Sequence, residues 1–399
     1  MSSPAEHETL QQLALWKELK RTPEILEQLA QSNIGELRLQ QELRKEFSPD
    51  LVRAAITLHE LRQKGAEKFT RAGGMWFDRV GLEQATPEAV ANYKSVQFGK
   101  RIPHYVEIHD YCTGIGADAV SLAQRGPVHT YDLDPRHAWQ AEQNAVCHGV
   151  EKLLTTHIAD VTTLDHTGKW VHIDPDRRAS KTRSRTLRLE QYAPDLVFMQ
   201  RLTVQAKGGA LKLSPASNFY GKFPGAEIEL ISLYGECKEA TIWFGELAEP
   251  GVHRATSLPT GESLVGNPLG ALPLISELET YIYDPDPAVV RASLIDLLSE
   301  RLELARLDEE EEYLTSHQRV DSPFVACFEV RDVLPNNLKM LKKYFQEHPA
   351  REVEIKSRHL PTDATAIRKR LPLHGEEPVT LIFARLQKKA HIIVCRRIG

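Results

Sequence analysis

The sequence predicts an α/β protein: a mostly parallel sheet with helices on both faces, preceded by a helical domain and followed by a small α+β unit. Three observations carry this reading. Residues 8–73 repeat apolar side chains at helical spacing, short β-rich runs alternate with helical stretches from Val106 onward, and residues 326–399 alternate strands and helices in a compact order.

In the first segment Leu51, Ala54, Ala55, Leu58 and Leu61 share one helical face. Ser48 before Pro49 forms an N-cap with proline at the first helical position, and Gly73-Gly74 is a stop. The helical domain is drawn as 1–80. From 81 to 270 the order is VEIHDY, a helix from Ala117 to Gln124, VHTYDL, a helix from Pro135 to His148, LLTTHIAD and WVHID. GGALKLSP, GAEIELISLYG and EATIWFGEL add strands, the last two as an antiparallel edge. Residues 271–325 read as a connector, with a helix from Pro287 to Leu304 and the acidic run Asp308 to Glu312 as a solvated turn. The terminal unit, 326–399, is β-α-β-α-β-β, with helices from Pro335 to Gln346 and from Asp363 to Leu371.

The chain has 399 residues, 41% hydrophobic and 26% charged, which excludes collagenous, low-complexity and wholly disordered classes. No run approaches the roughly 18 apolar residues of a membrane span, and the polar start MSSPAEHETL does not resemble a signal peptide; a soluble cytoplasmic protein without a membrane partner is expected. Cys112, Cys147, Cys237, Cys327 and Cys395 are scattered and odd in number, which argues against disulfides and structural zinc. The sixteen histidines show no metal spacing, so no metal is expected. Charge is uneven. Residues 331–399 hold 15 Lys and Arg against 7 Asp and Glu, while the first 330 hold 35 against 48.

The informative stretch is Asp110-Tyr-Cys-Thr-Gly114-Ile-Gly116-Ala-Asp118, after a strand and opening a helix. Glycines at such a turn let backbone amides approach a ligand. No third glycine follows Gly116 at Rossmann spacing, since position 119 is Ala, and the carboxylate of Asp110 suits a cationic amino acid moiety better than a pyrophosphate. Asp132 ends the second strand, where an acid accepts hydrogen bonds from ribose hydroxyls. Asp160 ends the third strand, within reach of an adenine amino group, and Asp174-Pro175-Asp176 follows the fourth. Singly, each Asp reads as a helix cap; together they face the crevice where such sheets bind ligands.

These residues resemble class I S-adenosylmethionine-dependent methyltransferases: DYCTGIGADAVSLA is similar to their first motif, YDLDP and IAD to their second- and third-strand acids, and IDPDRR to their fourth motif. FTRAGGMWFDRVGLEQATPEAVANYKS, YIYDPDPAVVRASL and FEVRDVLPNNLK extend the similarity to a bacterial group of these enzymes with a C-terminal THUMP-like domain. The resemblance implies a Rossmann-like class I methyltransferase domain and S-adenosyl-L-methionine as cofactor. It implies that Gly114 and Gly116 make room for the methionine part, Asp110 lies near its ammonium, Asp132 binds the ribose, Asp160 binds the adenine, and Asp174 and Pro175 line the reaction centre. In relatives with D-P-P-aromatic, this motif serves base amino groups; here Asp176-Arg177 replaces proline and the aromatic, so the stacking platform is missing, and Phe219 or Tyr220 is either a substitute ring or core.

The run RRASKTRSRTLR contains Arg177, Arg178, Lys181, Arg183, Arg185 and Arg188 without an acid, beside the fourth motif. Either it is a solvated loop, or Arg177, Arg178, Arg183 and Arg185 hold the phosphates of a substrate. THUMP domains imply RNA as partner, and the basic terminal unit agrees. Pyrimidine C5 chemistry is disfavoured because no cysteine lies near the fourth motif, and His172 reads as a satisfied strand histidine rather than a base. The sequence therefore predicts a methyltransferase modifying RNA, with a base amino group as one acceptor; the alternatives are a small-molecule or protein methyltransferase, or an RNA-binding protein that keeps the cofactor fold without turnover.

Overall fold

The computed structural model describes residues 4–31, 36–177 and 187–398. They form two compact units, one of residues 1–226 with 241–249, the other of residues 227–240 with 250–399.

The first unit opens with helices α1 (Pro4–Arg21), α2 (Pro23–Gln31), α3 (Glu36–Glu46) and α4 (Pro49–Gly65), closed around Leu19, Ile25, Leu43, Val52 and Ala55. As the sequence predicts, the Ser48 hydroxyl accepts the Leu51 N–H at the start of α4. Helices α5 (Arg79–Gln84) and α6 (Glu88–Arg101) follow, then β1 (Ile108–Tyr111), α7 (Ala117–Ala123), β2 (Val128–Asp132), α8 (Pro135–His148), β3 (Leu154–Ile158), β4 (Trp170–Ile173), α9 (Leu196–Gln205) and β5 (Gly208–Leu213). Strands β3, β2, β1, β4 and β5 are parallel neighbours in that order. The order reverses at β1, which sits between β2 and β4, and this opens a crevice above the carboxyl ends of the strands. On one face Ile108, Val128, Trp170 and Ala210 pack under Ala119 and Leu122 of α7 and Ala145 of α8. Trp139 of α8 meets Trp16 and Trp76 at ring distances of 6.1 and 4.7 Å, which seats the helical domain on the sheet.

The opposite face differs from expectation. The crossover from β3 to β4 spans only residues 159–169 and holds a single 3-10 turn, Val161–Thr163, where a covering helix would stand. Rings occupy the gap: His109 stacks on His129 at 5.4 Å, His129 on His157 at 5.3 Å, and His157 on Tyr131 at 4.7 Å.

In the second unit β6 (Glu227–Leu233), half of β7 (Glu236–Gly245), β8 (His253–Leu258) and β9 (Glu262–Gly266) precede β10 (Tyr281–Pro285), α10 (Pro287–Arg291), α11 (Ile295–Leu302), β11 (Ala305–Arg306) and β12 (Leu314–Ser316). The remainder is β13 (Val325–Pro335), α12 (Leu338–Glu347), β14 (Ala350–Ser357), α13 (Ala364–Arg368), β15 (Leu373–Leu386) and β16 (Lys389–Ile398), the β-α-β-α-β-β order read from the sequence. One sheet, β11-β12-β10-β13-β16-β15-β14, joins these strands to three from residues 271–325. Local readings are corrected here. The helix expected from Pro287 breaks at Ser293, whose φ is 59°, and β13 runs on to Pro335, so that Asn337 caps α12 instead. The acidic run is a solvated turn only in its first part: Glu309 and Glu310 are exposed, whereas Glu311 is buried and accepts the Arg385 N–H, and Glu312 pairs with Arg358 at 2.8 Å.

Burial, then Lys169 and the neighbouring His129, His157 and His166, pulls the His109 imidazole down to about 4. An unfolded chain takes up that proton near its ordinary value of 6.5, so the folded state holds this stability above about pH 6.5 and loses it as pH falls towards 4. Thermal melts across that range should show Tm falling with acidity, and His109→Gln should flatten the fall.

Candidate active site

The crevice contains a cavity of about 480 Å³, walled by residues from α5, the β1–α7 turn and the carboxyl ends of β2, β3 and β4. The β1–α7 turn is tightly wound. Cys112, Gly114 and Gly116 all have left-handed φ values of 57°, 55° and 82°. A Cβ added at Gly114 would stand in open space, whereas one at Gly116 would lie 2.9 Å from Ala141 of α8. Gly114 is thus the open side of the turn, and Gly116 lets α7 and α8 approach. The Gly114 N–H donates to Asp132 Oδ2 at 2.9 Å, fixing turn and second-strand acid to one another.

Asp132 Oδ1 accepts from the Asp134 N–H at 2.9 Å and lies 3.2 Å from His137 Nδ1. Burial opposes charge on His137, yet Asp132, Asp78 and Asp134 outweigh it and raise the imidazole to about 9. Asp160 caps its turn, accepting from the Thr162 N–H and hydroxyl. At the fourth strand Asp174 meets Lys212 of β5, Nζ to Oδ2 at 2.5 Å, and Pro175 lines the cavity. Asp176 is tied by its backbone to Ala193 and accepts from Gln84 at 3.1 Å. Cys112 also lines the cavity. Burial first, then the surrounding aspartates, pushes its thiol well up, so it is a neutral group there.

Beneath the glycine turn Asp110 and His172 join a buried network whose lysines, Lys94 and Lys212, sequence reasoning missed. Asp110 is buried, with Oδ1 2.6 Å from His172 Nδ1, and His172 Nε2 lies 3.2 Å from Lys94 Nζ. Lys94, 1% exposed, pairs with Asp118 at 2.8 Å, and Thr86 donates to Asp118 at 2.6 Å. Burial works against the Asp118 charge, but Lys94, helped by His172 and Lys212, holds its carboxyl well below the usual range. Two signals were present: Lys94 interrupts the apolar face Val90, Ala91, Phe98 of α6, and Lys212 is a lone charge in the strand GGALKL.

The THUMP domain-like family matches residues 325–397, and a family of domains of unknown function matches 23–65. An uncharacterised S-adenosylmethionine-dependent methyltransferase of Mycobacterium tuberculosis, found in strains CDC 1551 and H37Rv, is 28% identical over 347 residues, which is 85% of this chain and 93% of that protein. A crystal structure assigned as a methyltransferase from Porphyromonas gingivalis W83 superposes with a TM-score of 0.70 at 19% identity, over 89% of this chain and 92% of that one. The chain is a relative of the S-adenosylmethionine-dependent methyltransferases and carries a THUMP-like domain.

The methyltransferase fold brings Gly114, Asp132, Asp160, Asp174, Pro175 and Arg177 to one cavity. Asp110 and Gly116 stand behind it, Asp110 turned to His172 and Gly116 against Ala141. Arg178, Arg183 and Arg185 lie outside the described residues. Phe219 is core at 1% exposure, and neither it nor the half-exposed Tyr220 is among the residues that line the cavity. His172 is satisfied on both nitrogens, as expected of a strand histidine. The residues present fit S-adenosylmethionine. Aspartates 118, 132, 134, 160, 174 and 176 line a space of suitable size for a ligand that carries an ammonium and a sulfonium, and Asp110 Oδ2 is a buried oxygen without a hydrogen bond. Among the described residues no cluster of three or more His, Cys, Asp or Glu is arranged to hold a metal, and no helix is long and apolar enough to cross a membrane.

Gly116→Ala should destabilise the protein by on the order of 3 kcal/mol, combining a left-handed φ with the clash against Ala141. Gly114→Ala should cost about 1 kcal/mol and act instead on cofactor affinity, because its methyl group enters open space. Denaturant melts beside calorimetry with S-adenosylmethionine separate the two effects.

Proposed function

We propose that the chain transfers the methyl group of S-adenosylmethionine to RNA, at an exocyclic amino group of a base. The observation that carries this reading is the acid-lined cavity, with Asp174 at the end of β4, 34% exposed, and one carboxylate oxygen held by Lys212. S-adenosylmethionine, when bound, supplies an electrophilic methyl carbon. Asp132 is assigned to the ribose hydroxyls, Asp160 to the adenine amino group, and Gly114 to the open passage beside the methionine part. Asp174, with Pro175, is assigned to the acceptor: its carboxylate accepts a hydrogen bond from the NH2 and so aims the nitrogen lone pair. Displacement at a methyl group needs this alignment more than acid-base help. The aspartates disfavour a phosphate deep in the cavity and suit an N–H donor, which favours a base reaching in while its backbone stays at the edge, where Arg177 stands.

The basic residues support RNA, though fewer are available than their count implies. Lys356 and Arg358 pair with Asp284, Arg396 with Glu329, and Arg397 with Glu354, so these serve the fold. Lys342, Lys369, Arg370, Lys388 and Lys389 are exposed, and Arg177 stands at the cavity. These are the residues assigned to phosphates, with Arg178, Arg183 and Arg185 retained in that assignment as its loop part. A cytoplasmic location belongs to the same proposal.

Asp174→Ala should keep S-adenosylmethionine affinity within a few-fold while methyl transfer falls on the order of a hundredfold, about 2.7 kcal/mol of barrier. Equal loss of both removes Asp174 from the acceptor end. For RNA, log affinity should fall with log salt by roughly 0.7 per phosphate contact on single strands. Replacing Lys369 and Arg370 with Ala should lower that slope by one or two units at unchanged cofactor affinity. Salt-independent binding would move the reading to a small or protein substrate, and modified-nucleoside mass spectrometry of cells with and without the gene names the nucleotide.

A further inference from the structure

The charges behind the cavity form a connected chain whose last link is Asp174. Register explains the link: Ile173 of β4 stands opposite Leu211 of β5, so the next residues along, Asp174 and Lys212, are cross-strand neighbours. Lys212 Nζ lies 2.5 Å from Asp174 Oδ2 and 4.0 Å from Asp118 Oδ2, and its side chain is 13% exposed. Asp118 is itself held by Lys94 and Thr86. The ammonium therefore lies between two carboxylates, the nearer of them Asp174.

A network of buried charges is a poor route to stability, because desolvating each ion offsets most of what its partner returns. Its placement offers another role. Asp174 sits on the rim of the strand ends, where a lone carboxylate would turn freely about its first side-chain torsion, and among the described residues Lys212 is the side chain that holds it. Holding Oδ2 leaves Oδ1 with one direction. We propose that Lys212 is a positioning residue for methyl transfer, fixing the Asp174 carboxylate towards the acceptor, with Asp118 as its anchor. This rests on the reading of Asp174 as the acceptor-side group; Lys212 touches neither substrate nor cofactor in the proposal.

The test uses the full-length protein with Lys212→Met, Lys212→Arg, Asp174→Asn and the Met/Asn double variant, each checked for folding by circular dichroism. With total RNA from cells lacking the gene as acceptor, Lys212→Met should lower kcat at least tenfold, leave S-adenosylmethionine affinity within twofold, and be largely rescued in Lys212→Arg. The double variant should be no slower than Asp174→Asn, since both act through one carboxylate. A second readout needs no acceptor: calorimetry compares S-adenosylhomocysteine with sinefungin, an analogue bearing an amine where the methyl would be. Removing the lysine leaves Asp174 uncompensated beside that amine, so Lys212→Met should raise sinefungin affinity relative to S-adenosylhomocysteine several-fold, and Asp174→Asn should lower it. An unchanged ratio in Lys212→Met, or wild-type kcat in Lys212→Met beside a slow Asp174→Asn, overturns the role of Lys212 while leaving Asp174 in place. Wild-type kcat and an unchanged ratio in Asp174→Asn overturn the acceptor-side reading itself. If Lys212→Met does not fold, a Lys212→Arg variant with full kcat supports the proposal, and a folded Lys212→Arg as slow as Asp174→Asn overturns it.

Discussion

The pairing of Lys94 with Asp118 is the interaction on which the rest of the site depends. It joins α6 to the first turn of α7 at a position 1% exposed on the lysine side, and removing one partner of such a pair typically costs about 3–5 kcal/mol. Everything around it is arranged by reference to that contact. Thr86 at the entry to α6 closes on Asp118, His172 bridges Lys94 to Asp110 under the glycine turn, and Lys212 faces Asp118 from β5. Three strands and two helices are thus locked at the level where the turn begins, which leaves the backbone above it free to be wound through three left-handed residues without drifting.

The division of labour between the two glycines follows from the same geometry. Gly116 answers to packing, because Ala141 of α8 occupies the space a side chain would need; Gly114 answers to the cavity. A motif that reads as one ligand-binding loop is therefore two constraints, one structural and one chemical. Asp110 behaves similarly. Its place before the glycines points to a ligand contact, and its two oxygens divide: Oδ1 is held by His172, Oδ2 has no hydrogen bond, and burial raises the carboxyl while that histidine lowers it.

How much of this the sequence made legible depends on whether a residue acts through local order or through contacts distant along the chain. The strand-end acids Asp132, Asp160 and Asp174 could be placed because a βαβ pattern dictates where strand ends lie. Lys94 and Lys212 could not, because their roles come from partners 24 and 38 residues away in separate elements. The helix-free stretch over β1, β2 and β3 was missed for another reason: the β3 to β4 crossover is too short for a helix, and the stacked rings of His109, His129, His157 and Tyr131 fill the space. In the terminal unit the element order was readable and the charge balance misleading, since Lys356, Arg358, Arg396 and Arg397 are taken up by Asp284, Glu329 and Glu354.

Charge sorting connects these points. Carboxylates line the cavity, and the ammonium groups nearest it, Lys94 and Lys212, face inward from behind rather than into it. Aspartates dominate a lining that also includes His137 and Arg177, and a cavity of that balance suits a cationic ligand better than a polyanionic one. His137 shows the cost of the arrangement. So many aspartates close together need a counter-ion, and with its imidazole raised to about 9 it stays protonated at neutral pH beside Asp132. The acids around the cavity are thus tied to cations at successive positions, Asp118 to Lys94, Asp132 to His137 and Asp174 to Lys212, so a change at one carboxylate leaves its partner's charge uncompensated.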